Sequence, residues 1–186
     1  MELDKSKLGL VQIFYGNGKG KTTSALGTAL RASGNGYSVH LVQFMKNGAS
    51  SLKEDQIPGE IKALSKFPTF TYKRFGLGDW YKRGKNDEAH KLNVKETYDY
   101  LLNSVNNNNY DIIIADEILY AVQLGLLEEE KVIDLIKNKP KNKELILTGS
   151  HIPLLNIFQL ADLVTEIKKI KHPYDSGIIA RKGLEY

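Results

Sequence analysis

Leu8-Gly-Leu-Val-Gln-Ile-Phe-Tyr15 runs straight into Gly16-Asn-Gly-Lys-Gly-Lys-Thr-Thr23, and that join decides the fold. The first stretch is apolar and β-prone. The second is glycine-rich and ends in Lys-Thr-Thr, and Thr22 to Ala32 is helix-prone. Strand, glycine loop, Lys-Thr and helix in that order form the context of a phosphate-binding loop. Glycines let the backbone curl so that N–H groups point inward. The helix N-terminus adds partial positive charge. Lys21 brings a full charge to a phosphate chain, and Thr22 offers a hydroxyl to Mg²⁺.

The spacing departs from the usual one. Counted back from Gly20-Lys21, the position that ordinarily holds glycine is Tyr15, and Gly16 lies one residue closer. A dinucleotide fingerprint fits less well, because it requires glycine where Lys21 stands, and the second strand ends at Phe44 with no ribose-binding acid. A glycine-rich turn with incidental lysines would leave the agreement of all four features unexplained.

Outward from the loop, strands and helices alternate. Ser38 to Phe44 reads as a second buried strand after the Asn35-Gly36 turn. Met45 to Gly84 is less regular, with a short strand near Thr69 to Arg74 and then a long loop of the kind that binds ligands. Lys85 to Val105 and Leu127 to Asn138 read as helices, and Glu144 to Thr148 as a strand. Pro153 to Leu160 reads as a short helix with the proline in its first turn, and Val164 to Lys171 and Ile178 to Arg181 as closing strands. The expectation is an α/β chain, P-loop NTPase-like (RecA-type), with a mainly parallel sheet flanked by helices and residues 1–186 as one domain.

Tyr110-Asp-Ile-Ile-Ile-Ala-Asp116-Glu117 is an apolar strand ending in two carboxylates, the form of a Walker B segment. A parallel sheet carries such a terminus to the edge where the phosphate loop lies. Alone, Asp116 reads equally well as a helix cap. Joined to the loop, Asp116 and Glu117 become metal-site candidates with Thr22, and either acid is open as the ligand.

Composition narrows the class. The 186 residues are 41% hydrophobic and 26% charged, with net charge +4 and no cysteine. That excludes a disulfide scaffold, a thiolate metal site and a cysteine nucleophile. The N-terminus lacks the apolar core of a signal peptide, and no apolar run approaches the roughly 20 residues of a membrane span. The expected location is cytoplasmic, without membrane or nucleic-acid partners. The Lys82-Arg83-Lys85 and Lys168-Lys169-Lys171 clusters lack interleaved aromatics or a recognition helix.

The chain resembles the P-loop family of cob(I)alamin, or cob(I)yrinic acid a,c-diamide, adenosyltransferases over nearly its whole length. The resemblance rests on Gly16 to Thr23, Gly27-Thr-Ala-Leu-Arg-Ala32, Val42-Gln-Phe-Met-Lys46, Asp116-Glu117, Thr148-Gly149, Leu160-Ala-Asp162, Lys171-His-Pro-Tyr-Asp-Ser-Gly177 and Gly183-Leu-Glu-Tyr186. The shortened loop is the family's own form.

The resemblance implies transfer of the 5′-deoxyadenosyl group of ATP to cobalt(I) of a corrinoid, with triphosphate leaving and held in reverse relative to ordinary P-loop enzymes. It implies Mg²⁺, a flavin-type reductase as the cobalt(I) supply, and a homodimer. Carried onto this sequence, ATP binding falls to Gly16, Asn17, Gly18, Lys19, Gly20, Lys21, Thr22, Thr23 and Arg31. Catalysis falls to Lys21, Thr22 and Glu117, and metal binding to Thr22, Asp116 and Glu117. Trp80, Phe75 and Gln43 are the corrinoid candidates. Position 78, where the family carries Phe, is Gly78, so Phe75, Leu77 or Tyr81 would substitute. Arg31 reads equally as an exposed helical arginine, and His172 as the pin of a turn beside Pro173. The competing reading is a P-loop small-molecule kinase or NTPase, which would release ADP or phosphate instead of triphosphate.

Overall fold

The computed structural model describes residues 3–46, 57–78 and 81–184. Its framework is a six-stranded sheet formed by β1 (Val11–Tyr15), β2 (Val39–Gln43), β3 (Phe70–Arg74), β4 (Ile112–Asp116), β5 (Glu144–Thr148) and β6 (Leu163–Glu166), in the order β3-β2-β4-β5-β1-β6. Every pairing is parallel. The α/β expectation of a parallel sheet flanked by helices therefore holds. β2, β4 and β5 are buried at every residue, because helices cover both faces.

The sheet's period-two alternation divides the core. Ile113, Ala115, Leu145, Leu147 and Val42 face one apolar layer with Leu101, Val105, Leu119, Val132 and Leu135. Those partners come from α3 (Asp87–Asn106), α4 (Ile118–Gln123) and α5 (Glu129–Asn138). Ile112, Ile114, Ile146, Val39 and Leu41 face the other layer, against Ala25, Leu26, Ala29 and Ile61. These belong to α1 (Lys21–Gly34) and α2 (Gly59–Leu64). Alanine at α1's inner positions lets the helix lie close to the strands, and each large side chain so buried is worth about 1.5–3 kcal/mol.

Local signals fix most ends. Asn35 caps α1, and Gly36 at φ 92° turns the chain into β2. Glu129 and Glu130 open α5 and Lys137 closes it, matching the helix dipole, with Pro140 just beyond.

Three expectations are corrected. Residues 178–181 form no strand: the chain passes through a 3₁₀ turn at Pro173–Ser176 and Gly177 at φ 79°, which turns it away from the sheet. Ile178 and Ile179 are accordingly exposed. β6 stops at Glu166 instead of running to Lys171, because the backbone at Ile167 and Lys169 turns to bond the phosphate loop. The short helix α6 spans Leu155–Phe158 with Leu154 as its N-cap, so Pro153 lies ahead of its first turn. The six-residue helices α2 and α4 were not expected from the sequence.

Candidate active site

Parallel strands bring the C-terminal ends of β1, β2, β4 and β5 to one edge of the sheet. The loop from Gly16 to Gly20 leaves β1 there and enters α1. Its glycines act for different reasons. The Gly16 amide donates to the Ser150 carbonyl at 2.9 Å, and the Gly18 amide to the Ile167 carbonyl at 2.8 Å. A Cβ at Gly16 would sit 2.3 Å from the Ile167 carbonyl oxygen, so side chains are excluded by backbone on that side. Gly20 faces open space but holds φ 124° as the N-cap of α1.

Lys21 Nζ donates to the Gly16 and Gly18 carbonyls at 2.7 and 3.1 Å, which holds the ammonium over the loop. Burial lowers its pKa; Glu117 and Asp116 oppose that shift and Lys46 adds to it. Asn17, Lys19 and Thr23 are exposed. Asn17 Oδ1 accepts from the Lys169 amide at 2.9 Å, which ties the loop to the segment after β6.

Asp116 ends β4 with no solvent exposure. Its Oδ1 accepts from Thr22 Oγ1 at 2.9 Å and from Thr148 Oγ1 at 2.5 Å, and its Oδ2 accepts from Gln43 Nε2 at 3.0 Å. A buried carboxylate is stable when its lone pairs are filled in this way. Glu117 follows at φ 65°, a strained conformation for a non-glycine residue and one that gathers at functional sites. Its amide donates to Thr148 Oγ1 at 3.0 Å. Lys46 Nζ lies 3.0 Å from Glu117 Oε1 and 3.9 Å from Asp116 Oδ2. Burial works against the Lys46 charge, yet Asp116 and Glu117 outweigh it and raise its pKa above the ordinary lysine value.

The turn after β5 closes the loop's flank. Gly149 holds φ 111°, and a Cβ there would meet the Tyr120 amide at 2.6 Å. His151 stacks on Tyr120, with centroids 4.9 Å apart. Burial first, and then the Lys21 charge, lower the His151 pKa.

The corrinoid candidates separate. Gln43 is 2% exposed and committed to Asp116 and Arg74. Phe75 packs at the core margin with its ring 5.4 Å from that of Tyr100. Trp80 lies outside the described residues. Tyr81 meets His90 edge-on at 5.1 Å, and Leu77 is 44% exposed. Arg31 is exposed in the last turn of α1, about 15 Å along the helix from Lys21. His172 caps its turn, its Nδ1 accepting from the Tyr174 amide at 3.1 Å. His40 lies buried in β2, bonded to Thr71 and Tyr100 and stacked on Tyr110.

The donor set suits Mg²⁺. Thr22 spends its proton on Asp116 and keeps lone pairs, and Asp116 and Glu117 add hard oxygens. Among the described residues no cluster of three or more His, Cys, Asp or Glu forms a metal cage.

Sequence reasoning had Thr148 only as a motif member and missed Arg74, whose Nε donates to Gln43 Oε1 at 2.9 Å. The in-register row Arg74, Gln43 and Asp116 across β3, β2 and β4 was the signal that could have found it.

The family model for ATP:corrinoid adenosyltransferase BtuR/CobO/CobP matches residues 7–186. The corrinoid adenosyltransferase of Escherichia coli K12 is 32% identical over 182 residues, covering 96% of this chain and 86% of that protein. The corrinoid adenosyltransferase CobA of Salmonella typhimurium LT2 has the same identity and coverage. The corrinoid adenosyltransferase of Pseudomonas aeruginosa is 29% identical over 184 residues, with 98% and 86% covered.

Proposed function

The chain belongs to the ATP:corrinoid adenosyltransferase family, and from that premise we propose that its P-loop edge works on the leaving side of an adenosyl transfer. The cobalt(I) of a bound corrinoid gives its electron pair to the 5′ carbon of ATP. The carbon–oxygen bond to the triphosphate breaks, and that oxygen keeps the bonding pair. No water has to be activated, so the protein's work is to align the two substrates and to stabilise the charge that develops on triphosphate.

The observation that carries this reading is the gathering at the foot of the loop of Lys21, held over it and within the field of both acids, Thr22 bonded to Asp116, and Lys46 paired with Glu117. Lys21 supplies charge to the triphosphate, from a half-buried position where screening is weak. Asp116 fixes the Thr22 rotamer, so that the hydroxyl lone pairs face a Mg²⁺ site. Glu117, more open than Asp116, would be the carboxylate that holds the ion. When bound, Mg²⁺ supplies positive charge to the triphosphate oxygens. Gly16 and Gly18 hold the loop in shape through the Ser150 and Ile167 carbonyls. The exposed Asn17, Lys19 and Thr23 join the ATP-binding set together with Gly20 and with Arg31 further along α1.

Phe75 and Trp80 belong to the segment that leads from β3 to α3, and we assign the corrinoid to that side. The rest of the reading is a single catalytic domain, acting as a cytoplasmic homodimer with a flavin-type reductase supplying electrons. The cysteine-free composition fits a reducing compartment, and no helix among the described residues is long and apolar enough to cross a membrane.

The products test the reading. Phosphorus NMR of a reaction with ATP, Mg²⁺ and reduced cobalamin is expected to show inorganic triphosphate rising in step with alkylcobalamin. ADP or orthophosphate as the stoichiometric product would instead support a P-loop kinase or NTPase.

A further inference from the structure

Arg74 is the last residue of β3 and the root of the segment that carries Phe75. It stands in register with Gln43, which stands in register with Asp116. Residues paired in register on neighbouring strands share a face, so the three side chains form one row, on the side from which α1 presents Thr22.

The hydrogen bonds along that row run in one sense. Arg74 Nε donates to Gln43 Oε1 at 2.9 Å, and Gln43 Nε2 donates to Asp116 Oδ2 at 3.0 Å. A glutamine amide has one acceptor end and one donor end. With its oxygen held by a guanidinium that can only donate, its nitrogen must face the carboxylate. Arg74 thereby fixes the polarity of Gln43, whose Nε2 fills Oδ2, while Thr22 and Thr148 fill Oδ1.

The same guanidinium makes a second bond, from Nη2 to the carbonyl of Lys46. Lys46 is the residue whose ammonium meets Glu117. The backbones are also interlaced: the Phe75 amide donates to the Gln43 carbonyl at 3.0 Å, and the Lys46 amide to the Phe75 carbonyl at 2.7 Å. The second bond anchors the guanidinium on backbone, so the side-chain relay from Arg74 to the acids runs through Gln43 to Asp116.

We propose that Arg74 is a positioning residue of the metal–nucleotide site, acting through Gln43, and that Gln43 serves Asp116 instead of touching the corrinoid. The proposal builds on the assignment of Thr22, Asp116 and Glu117 to Mg·ATP. Removing Arg74 leaves the buried Gln43 Oε1 without its donor, so the amide is no longer held in place and the carboxylate that holds Thr22 is loosened. Partners one step behind metal ligands typically change metal affinity by about 10–100-fold when lost.

The experiment measures Mn²⁺ binding by electron paramagnetic resonance, with saturating ATP and no corrinoid, in the wild type, Arg74→Met, Gln43→Leu and the double variant. Arg74→Met is expected to weaken Mn²⁺ binding about tenfold. Because Arg74 works through Gln43, the double variant should bind within about twofold of Gln43→Leu alone.

A folded Arg74→Met protein with wild-type Mn²⁺ affinity would overturn the proposal, and so would single losses that multiply in the double variant. If Arg74→Met does not fold, Arg74→Lys decides. A lysine cannot fork to both Gln43 and Lys46, so at least about a threefold loss is expected, and wild-type affinity would overturn the proposal. Adenosyl transfer is absent from this measurement. Failure of the enzymatic reading would show as normal Mn·ATP binding without turnover in the wild type, a different outcome from any of these.

Discussion

Two regions of this sheet are built from different materials. Around Asp116, the hydroxyls of Thr22 and Thr148, the Gln43 amide and the Lys46 ammonium converge on two carboxylates. Around Phe75, at the root of the segment toward α3, the contacts are rings: Phe75 on Tyr100 at 5.4 Å, Tyr100 on His40 at 5.8 Å, and His40 stacked on Tyr110 at 4.4 Å. The first half is directional and charge-dependent, and suits a polyanion and its counter-ion. The second is ring packing around a buried His40 that Thr71 and Tyr100 hold by hydrogen bonds, and it fixes the root of the segment toward α3. Arg74 stands where they join.

The difference predicts which changes are severe. Lys21→Ala removes the ammonium held over the loop and leaves the packed layers untouched; turnover should fall by about 10³-fold with the circular dichroism unchanged. A folded Lys21→Ala enzyme with wild-type kcat would dissolve the charged half as described.

Asp116→Asn is nearly isosteric, yet it replaces one acceptor oxygen with an NH₂ group. That group must face a donor, either Gln43 or the two threonines. A loss of about 10²-fold in kcat/KM for ATP is expected, with a raised Mg²⁺ requirement. An unaltered Mg²⁺ dependence would remove Asp116 from the metal site.

The aromatic half should announce itself through acid sensitivity. Burial lowers the His40 pKa from 6.5 to about 4, so the folded state holds the ring neutral. The unfolded chain binds that proton first. The stabilisation is complete above pH 6.5 and is lost as the pH falls toward 4, amounting to about 3 kcal/mol over that window. Urea unfolding of wild type and His40→Gln at pH 7 and pH 4.5 measures it. The wild type should lose more stability than the variant on acidification, and equal losses would contradict the assignment.

Phe75→Leu should be the mildest change, raising KM for the corrinoid about threefold while leaving KM for ATP alone. An effect on ATP alone would mean that the halves are not divided as described.

The same contrast explains what the sequence disclosed. The phosphate loop is one continuous stretch flanked by a strand and a helix, so chemistry and context are adjacent in the chain. Asp116 and Glu117 were legible for the same reason, at the end of an apolar run. Their bonds to the neighbouring strands were not. Thr148 reaches Asp116 from β5, and Arg74 reaches it across two strand registers, and neither relation has a local pattern. Helices α2 and α4, at six residues, are too short for periodicity to mark. Ile178 to Arg181 has the apolar content of a strand, but the turn at Gly177 directs it away from any partner.

The central claim is adenosyl transfer to cobalt, and its most direct test is anaerobic. Protein, ATP and Mg²⁺ are mixed with chemically reduced cobalamin, and the cobalt(I) absorbance is followed. The account predicts loss of that absorbance only when protein, ATP and Mg²⁺ are all present, with a light-sensitive alkylcobalamin as product. Persistence of the cobalt(I) spectrum with cobalamin and also with an incomplete corrinoid, in protein that binds ATP, would contradict it.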